Sequence, residues 1–149
     1  MGFCSSASGR ACLLDWDKPL TVDDFFELLS NVKKVRALSG DPVLLIVVVR
    51  KQVPVPAHYL LSCLQATLPA ILDCCQELVV AVEGVDSERA TLRASFQTVR
   101  SGTKPRNSTR VFDTLSAAFA HAQRAAPHDV LELQRLALHQ SSPPTGERT

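Results

Sequence analysis

Residues Val43–Val49 read Val-Leu-Leu-Ile-Val-Val-Val, seven aliphatic side chains without a polar interruption. A surface helix would show apolar residues only at every third or fourth position, and a half-buried strand would alternate. A run that is apolar throughout and mostly β-branched, set between Gly40-Asp41-Pro42 and Arg50-Lys51-Gln52, fits a strand covered by helices on both faces. That environment is the centre of a parallel sheet. Seven residues also fall far short of the roughly 20 that a helix needs to span a bilayer.

The rest of the chain supplies elements to surround this strand. Gly2 to Ser8 and Arg10 to Trp16, separated by a Ser-Gly turn signal, read as a hairpin. Thr21 can cap a helix to about Leu38 whose first turn carries Asp23 and Asp24. Pro56 suits the first turn of a second helix, in which Leu60, Leu61, Leu64, Leu68, Ile71, Leu72 and Cys75 recur at helical spacing, with a kink expected at Pro69. Leu78 to Val82 is a second buried strand. A third helix follows Asp86 or Ser87, with Leu92, Phe96 and Val99 inward. A basic loop from Gly102 to Asn107 precedes a short strand, Arg110 to Asp113, and a helix, Thr114 to Ala125. The order is β-β-α-β-α-β-α-β-α: an α/β fold with a mostly parallel sheet and an antiparallel edge hairpin at the N-terminus. Residues 1–126 form one domain, 127–140 a helical extension centred on Val130 to Leu138, and 141–149 a disordered tail without core-forming residues.

Composition removes several function classes. The 149 residues, 46% of them apolar, suffice for one core, and 16 basic against 15 acidic side chains leave a formal charge of +1. Such a balance provides no electrostatic pull towards nucleic acid or an anionic membrane. Five cysteines, an odd number without C-x-x-C spacing, and no secretory leader point to free thiols in a reducing cytoplasm. His58, His121, His128 and His139 are scattered, so no metal and no cofactor is expected. The chain has no G-x-G-x-x-G, no phosphate-binding G-x-x-x-x-G-K-[ST] and no G-x-S-x-G.

Four stretches taken together resemble the STAS-like family of small bacterial proteins, which shares its fold with anti-sigma-factor antagonists: the hairpin leading to Pro19-Leu20-Thr21, the Val43–Val49 strand running into Val53-Pro54-Val55-Pro56, the segment from Leu68 to Gly84, and Arg110 to Ala122. The resemblance covers roughly residues 3–125. It implies a non-enzymatic regulatory or adaptor domain that contacts another protein, such as a kinase-like or sigma-factor-related regulator. The phosphorylatable serine of that family has no counterpart, because Arg50-Lys51-Gln52-Val53-Pro54-Val55-Pro56 occupies its place. What the resemblance leaves is a partner-binding edge made by Arg50, Lys51, Gln52, His58, Tyr59 and Ser62. An alternative is a small-ligand or lipid-binding domain. It would use the rim at the carboxyl ends of the strands, with Asp17, Arg50, Lys51, Glu83, Asp86, Asp113 and Thr114, and the apolar space beneath the helix containing Pro69.

Two motifs in the first ten residues compete with these readings. Cys4 and Arg10 have the C-x5-R spacing of a cysteine phosphatase loop, but that loop needs a buried strand before the cysteine and a helix after the arginine. Only three residues precede Cys4, Arg10 leads into strand-like sequence, and neither Asp15 nor Asp17 has a defensible placement as the acid. Gly2 and Ser6 fit an acylation signal, which without a neighbouring polybasic stretch would anchor weakly. A turn of scaffold accounts for both. Asn107-Ser108-Thr109 likewise matches a glycosylation acceptor without an export signal.

Overall fold

The structure, a computed structural model, describes residues 3–18, 21–53, 58–98 and 109–141. Its elements are β1 (Phe3–Ser8), β2 (Ala11–Trp16), α1 (Val22–Ser39), β3 (Val43–Val49), α2 (His58–Asp73), β4 (Cys75–Val82), α3 (Ser87–Thr98), β5 (Thr109–Phe112), α4 (Leu115–Ala125) and α5 (Pro127–Ser141). The five strands lie side by side in chain order, with β1 antiparallel to β2 and all other pairs parallel. The α/β class, the order of elements and the antiparallel edge agree with the sequence reading. All seven side chains of β3 are buried, as an interior strand requires.

Sequential strand order has a direct consequence. Successive right-handed crossovers that always move in one direction leave every connecting helix on one face. The core divides accordingly. Phe25, Leu28 and Val32 of α1, Leu68, Ile71 and Leu72 of α2, and Leu92 and Phe96 of α3 pack with Cys12, Leu14 and Trp16 of β2, Leu45, Val47 and Val49 of β3, and Val80 and Val82 of β4. Once β5 is complete the chain crosses to the other face. There Ala118, Phe119 and Ala122 of α4 and Val130 and Leu133 of α5 cover Leu13, Leu44, Ile46, Val48, Val79 and Ala81.

Local sequence explains the boundaries. The Thr21 backbone N–H donates to the buried Asp24 carboxylate at 2.8 Å to open α1, and Gly40, at φ +75°, closes it by donating to Arg36 O at 2.9 Å. Gly9 turns the hairpin at φ +56°, a conformation that favours glycine, and a Cβ there would stand 2.6 Å from Asp129 Oδ1 of α5 and push that carboxylate aside.

Two expectations need correction. Cys75 opens β4 and does not continue α2: Cys74 N–H makes a last turn to Ile71 O at 3.0 Å, and Cys74 O then accepts from Val43 N–H in the sheet ladder. Leu68, Ile71, Leu72 and Cys75 share a three-to-four spacing that a helix followed at once by a buried strand also satisfies. The final helix, Pro127–Ser141, spans the expected 127–140 and begins at a residue suited to the first helical position. It is also more than an appendage, because Val130 and Leu133 are fully buried against the sheet. The Gly102–Asn107 loop, Val99 and the tail from 142 onward lie outside the described residues.

Candidate functional site

Side chains of a strand alternate between faces, and the α4/α5 face receives Leu13 from β2, Val48 from β3 and Ala81 from β4. Two residues further along each strand the same phase delivers Asp15, Arg50 and Glu83. Three adjacent strands thus end in charge on one face, at their carboxyl ends, where α4 begins. Those side chains, with Leu13, Val48, Leu115, Phe119, Thr114, Ser116 and Gln134, line a cavity of about 560 Å³. Its floor is apolar and its mouth polar, the usual constitution of a small-molecule site.

Within it, Arg50 and Asp15 form a two-pronged ion pair, Nε to Oδ1 at 2.9 Å and Nη2 to Oδ2 at 2.7 Å, with about a fifth of each side chain exposed. The Asp15 hydrogen bond raises the Arg50 pKa above its ordinary value against the opposing effect of burial, and the charges of Asp15, Glu83 and Asp17 add to it. Arg50 is therefore a permanent cation. Glu83 Oε1 accepts the Lys51 backbone N–H at 3.0 Å. Thr114, the N-cap of α4, accepts the Ala117 N–H at 3.2 Å through its hydroxyl. Ser116 is exposed in the first helical turn.

Behind the cleft, Arg89 of α3 fixes the segment after β3. Its side chain is only 7% exposed, and its guanidinium donates to Arg50 O at 3.1 Å, to Lys51 O at 2.8 Å and to Val53 O. Three carbonyls of a turn that would otherwise need water are satisfied by one fork. Arg93 does the same for Val82 O and Gly84 O, at 2.8 and 2.9 Å. Neither arginine stands out in the sequence, where both read as polar positions of an amphipathic helix.

The residues expected at a partner-binding edge have separate environments. Arg50 points into the cleft, whereas Lys51 and Gln52 are exposed in the turn beside it and Ser62 is exposed on α2. His58 and Tyr59 open α2, and their side chains lie outside the described residues. Of the expected rim, Arg50, Glu83 and Thr114 line the cavity, Asp17 acts on Arg50 from nearby, and Asp86 serves as a cap, accepting Arg89 N–H at 2.9 Å. Of the polar lining residues missing from that rim, Asp15, Ser116 and Gln134, the charged one is Asp15. Its signal was the strand phase it shares with Leu13. The space expected beneath α2 is occupied by Leu68, Ile71 and Leu72, all buried, and the cavity lies on the opposite face.

The C-x5-R segment forms the first hairpin, not a strand–loop–helix unit. Cys4 stands in β1 opposite Asp15, and Arg10 in the turn donates to Gln76 and, at 3.1 Å, to Ala125 O at the end of α4. Among the described residues no cluster of histidine, cysteine or carboxylate is arranged to hold a metal, and no helix is long and apolar enough to cross a membrane. No protein-family model, curated protein or solved structure matches the chain.

Proposed function

We propose that this protein is a non-enzymatic regulatory domain that binds a small organic molecule in the cleft at the carboxyl ends of β2, β3 and β4. The observation that carries the reading is the cavity of about 560 Å³ with Leu13, Val48, Leu115 and Phe119 below and Asp15, Arg50, Glu83, Thr114, Ser116 and Gln134 at its edge. In a doubly wound sheet a ligand crevice arises where strand order reverses. The order here never reverses, and the opening arises instead because α4 packs on β3–β5 and α5 on β1 and β2, leaving the strand ends uncovered between them. No disulfide joins Cys12, Cys63, Cys74 or Cys75, which suits a reducing cytoplasm.

A fragment screen followed by amide chemical-shift mapping tests this. Shifts should concentrate at 13–15, 48–50, 83 and 114–119, and Ser116→Trp, which fills the mouth from an exposed position, should abolish them while the protein stays folded. Binding that ignores Ser116→Trp, or no binding at millimolar fragment, rejects the cleft.

A second reading keeps the STAS-like affiliation and the adaptor role, with a kinase-like or sigma-factor-related partner docking on Lys51, Gln52 and the start of α2. The Arg89 fork favours it, because three charge-assisted hydrogen bonds hold an exposed turn in one shape, as a recognition surface requires. Lys51→Glu with Gln52→Glu should release a co-purifying partner without altering the cleft. A partner retained by that variant excludes this surface.

A further inference from the structure

We infer that the ligand of the cleft is an organic amine, with its ammonium group at Glu83 and an aromatic or aliphatic body against Leu115 and Phe119. This rests on the cleft being the binding site. Two carboxylates, Asp15 and Glu83, and one guanidinium, Arg50, line the cavity, a formal charge of −1. The guanidinium is already neutralised: two of its five N–H donors are held by Asp15 in a mostly buried ion pair, so an incoming carboxylate or phosphate would meet a cation whose charge Asp15 offsets, the only described cation in the lining. Glu83 is in the reverse position. One of its oxygens accepts the Lys51 backbone N–H, and no described basic side chain is in salt-bridge contact with the carboxylate. It is a partly exposed negative charge over an apolar floor, within electrostatic reach of Arg50 but in ion-pair contact with no described base, and an ammonium can pair with it there without breaking an ion pair.

Charge and floor together set the class. A neutral molecule would leave Glu83 partly desolvated without a counter-charge, and an anion would meet two carboxylates, Asp15 and Glu83, against one guanidinium. The Ser116 hydroxyl at the edge can accept a further N–H group, while the Gln134 amide oxygen already accepts from Gln123 Nε2 at 2.6 Å.

Three probes of one size separate the alternatives: 2-phenylethylamine, 2-phenylethanol and 3-phenylpropanoate, titrated by calorimetry or chemical shift at low ionic strength on the full chain. The amine should bind at least tenfold more tightly than the alcohol, the carboxylate more weakly than either, and the amine's advantage should shrink as salt rises. Glu83→Gln retains the carbonyl oxygen for Lys51 N–H and removes the charge, so it should bring amine and alcohol to similar affinity. Equal binding of all three probes, preference for the carboxylate, or an amine affinity unmoved by both Glu83→Gln and salt would overturn the assignment and leave the cleft standing. No binding of any probe, together with no fragment shifts at the cleft, would remove both.

Discussion

On one face of the sheet α1, α2 and α3 stand in a row over β2 to β5, each delivered there by a crossover of the same hand. On the other, α4 and α5 must cover the same strands with two helices, and the carboxyl ends of β2, β3 and β4 remain open. The strands contribute equally to both sides, since β3 alternates between them without a polar residue. The difference comes from the connections. A sheet wound in one direction closes one face as a by-product of joining its strands, while the opposite face is covered by whatever chain remains after the last strand. A crevice opens where coverage runs out, and the charged ends of three strands lie on that face.

The largest test of this asymmetry is truncation on each side. Phe25→Ala on the closed face removes a ring that is 1% exposed and should cost about 3–5 kcal/mol, since neighbours held by three helices cannot collapse into the void. Leu115→Ala, at the open cleft, should cost about 1 kcal/mol because solvent already reaches it. Urea midpoints of the two variants give the comparison directly. Equal losses would mean that both faces are sealed.

Arg89→Met probes the join between the faces. It preserves the stem along the closed side but leaves the Arg50, Lys51 and Val53 carbonyls without their donor, which should cost about 3 kcal/mol and speed amide exchange in the 50–53 turn. If exchange there stays slow, water or another group holds the turn and Arg89 is only packing.

The contrast between the faces also describes what could be read from the chain. Val43–Val49 announced an interior strand because burial on both sides leaves no polar position, and period-two and helical spacings located the neighbouring elements. Helix ends were legible where a side chain acts on its own backbone, as at Thr21, Gly40 and Thr114. Cys75 was misplaced because an unbroken apolar spacing conceals a change from helix to strand. The cleft was harder still. Arg50 and Glu83 could be named as strand ends, but pairing Arg50 with Asp15 requires knowing that β2 and β3 are neighbours in parallel register, with Asp15 opposite Val48. Arg89 lies thirty-eight positions from the Lys51 carbonyl it binds, and no local pattern encodes a contact that tertiary packing creates.

Titration offers a third comparison. Burial on the closed face pushes the Cys12 thiol up to about 11 from an ordinary value of 9.0. A thiol whose folded pKa lies above its unfolded one adds stability that is complete below pH 9 and lost as pH rises towards 11. The loss should approach about 3 kcal/mol, two pKa steps at 1.36 kcal/mol each. Unfolding free energies between pH 8 and 11 should therefore fall more steeply for the native chain than for Cys12→Ala. Parallel curves would show that the thiolate is accommodated and that this face is wetter than its packing indicates.

The smallest effect is expected at the Arg50–Asp15 pair, and it bears most closely on the open face. Asp15→Asn keeps one acceptor oxygen but turns an amide towards the guanidinium, replacing one strong hydrogen bond by a donor–donor contact. With each partner still partly in contact with water, screening limits the stability loss to about 1 kcal/mol. Arg50→Met removes the cation and should cost about as much, because Asp15 then loses both of its bonds. If the pair acts as a unit, the double substitution should cost less than the two single losses combined, with a coupling near 1 kcal/mol in a urea-midpoint cycle. Independent, additive losses would identify two solvated charges that happen to meet. The cleft would then have no committed cation, and Arg50 would be free to receive an anion, which would reverse the charge preference argued from this pair.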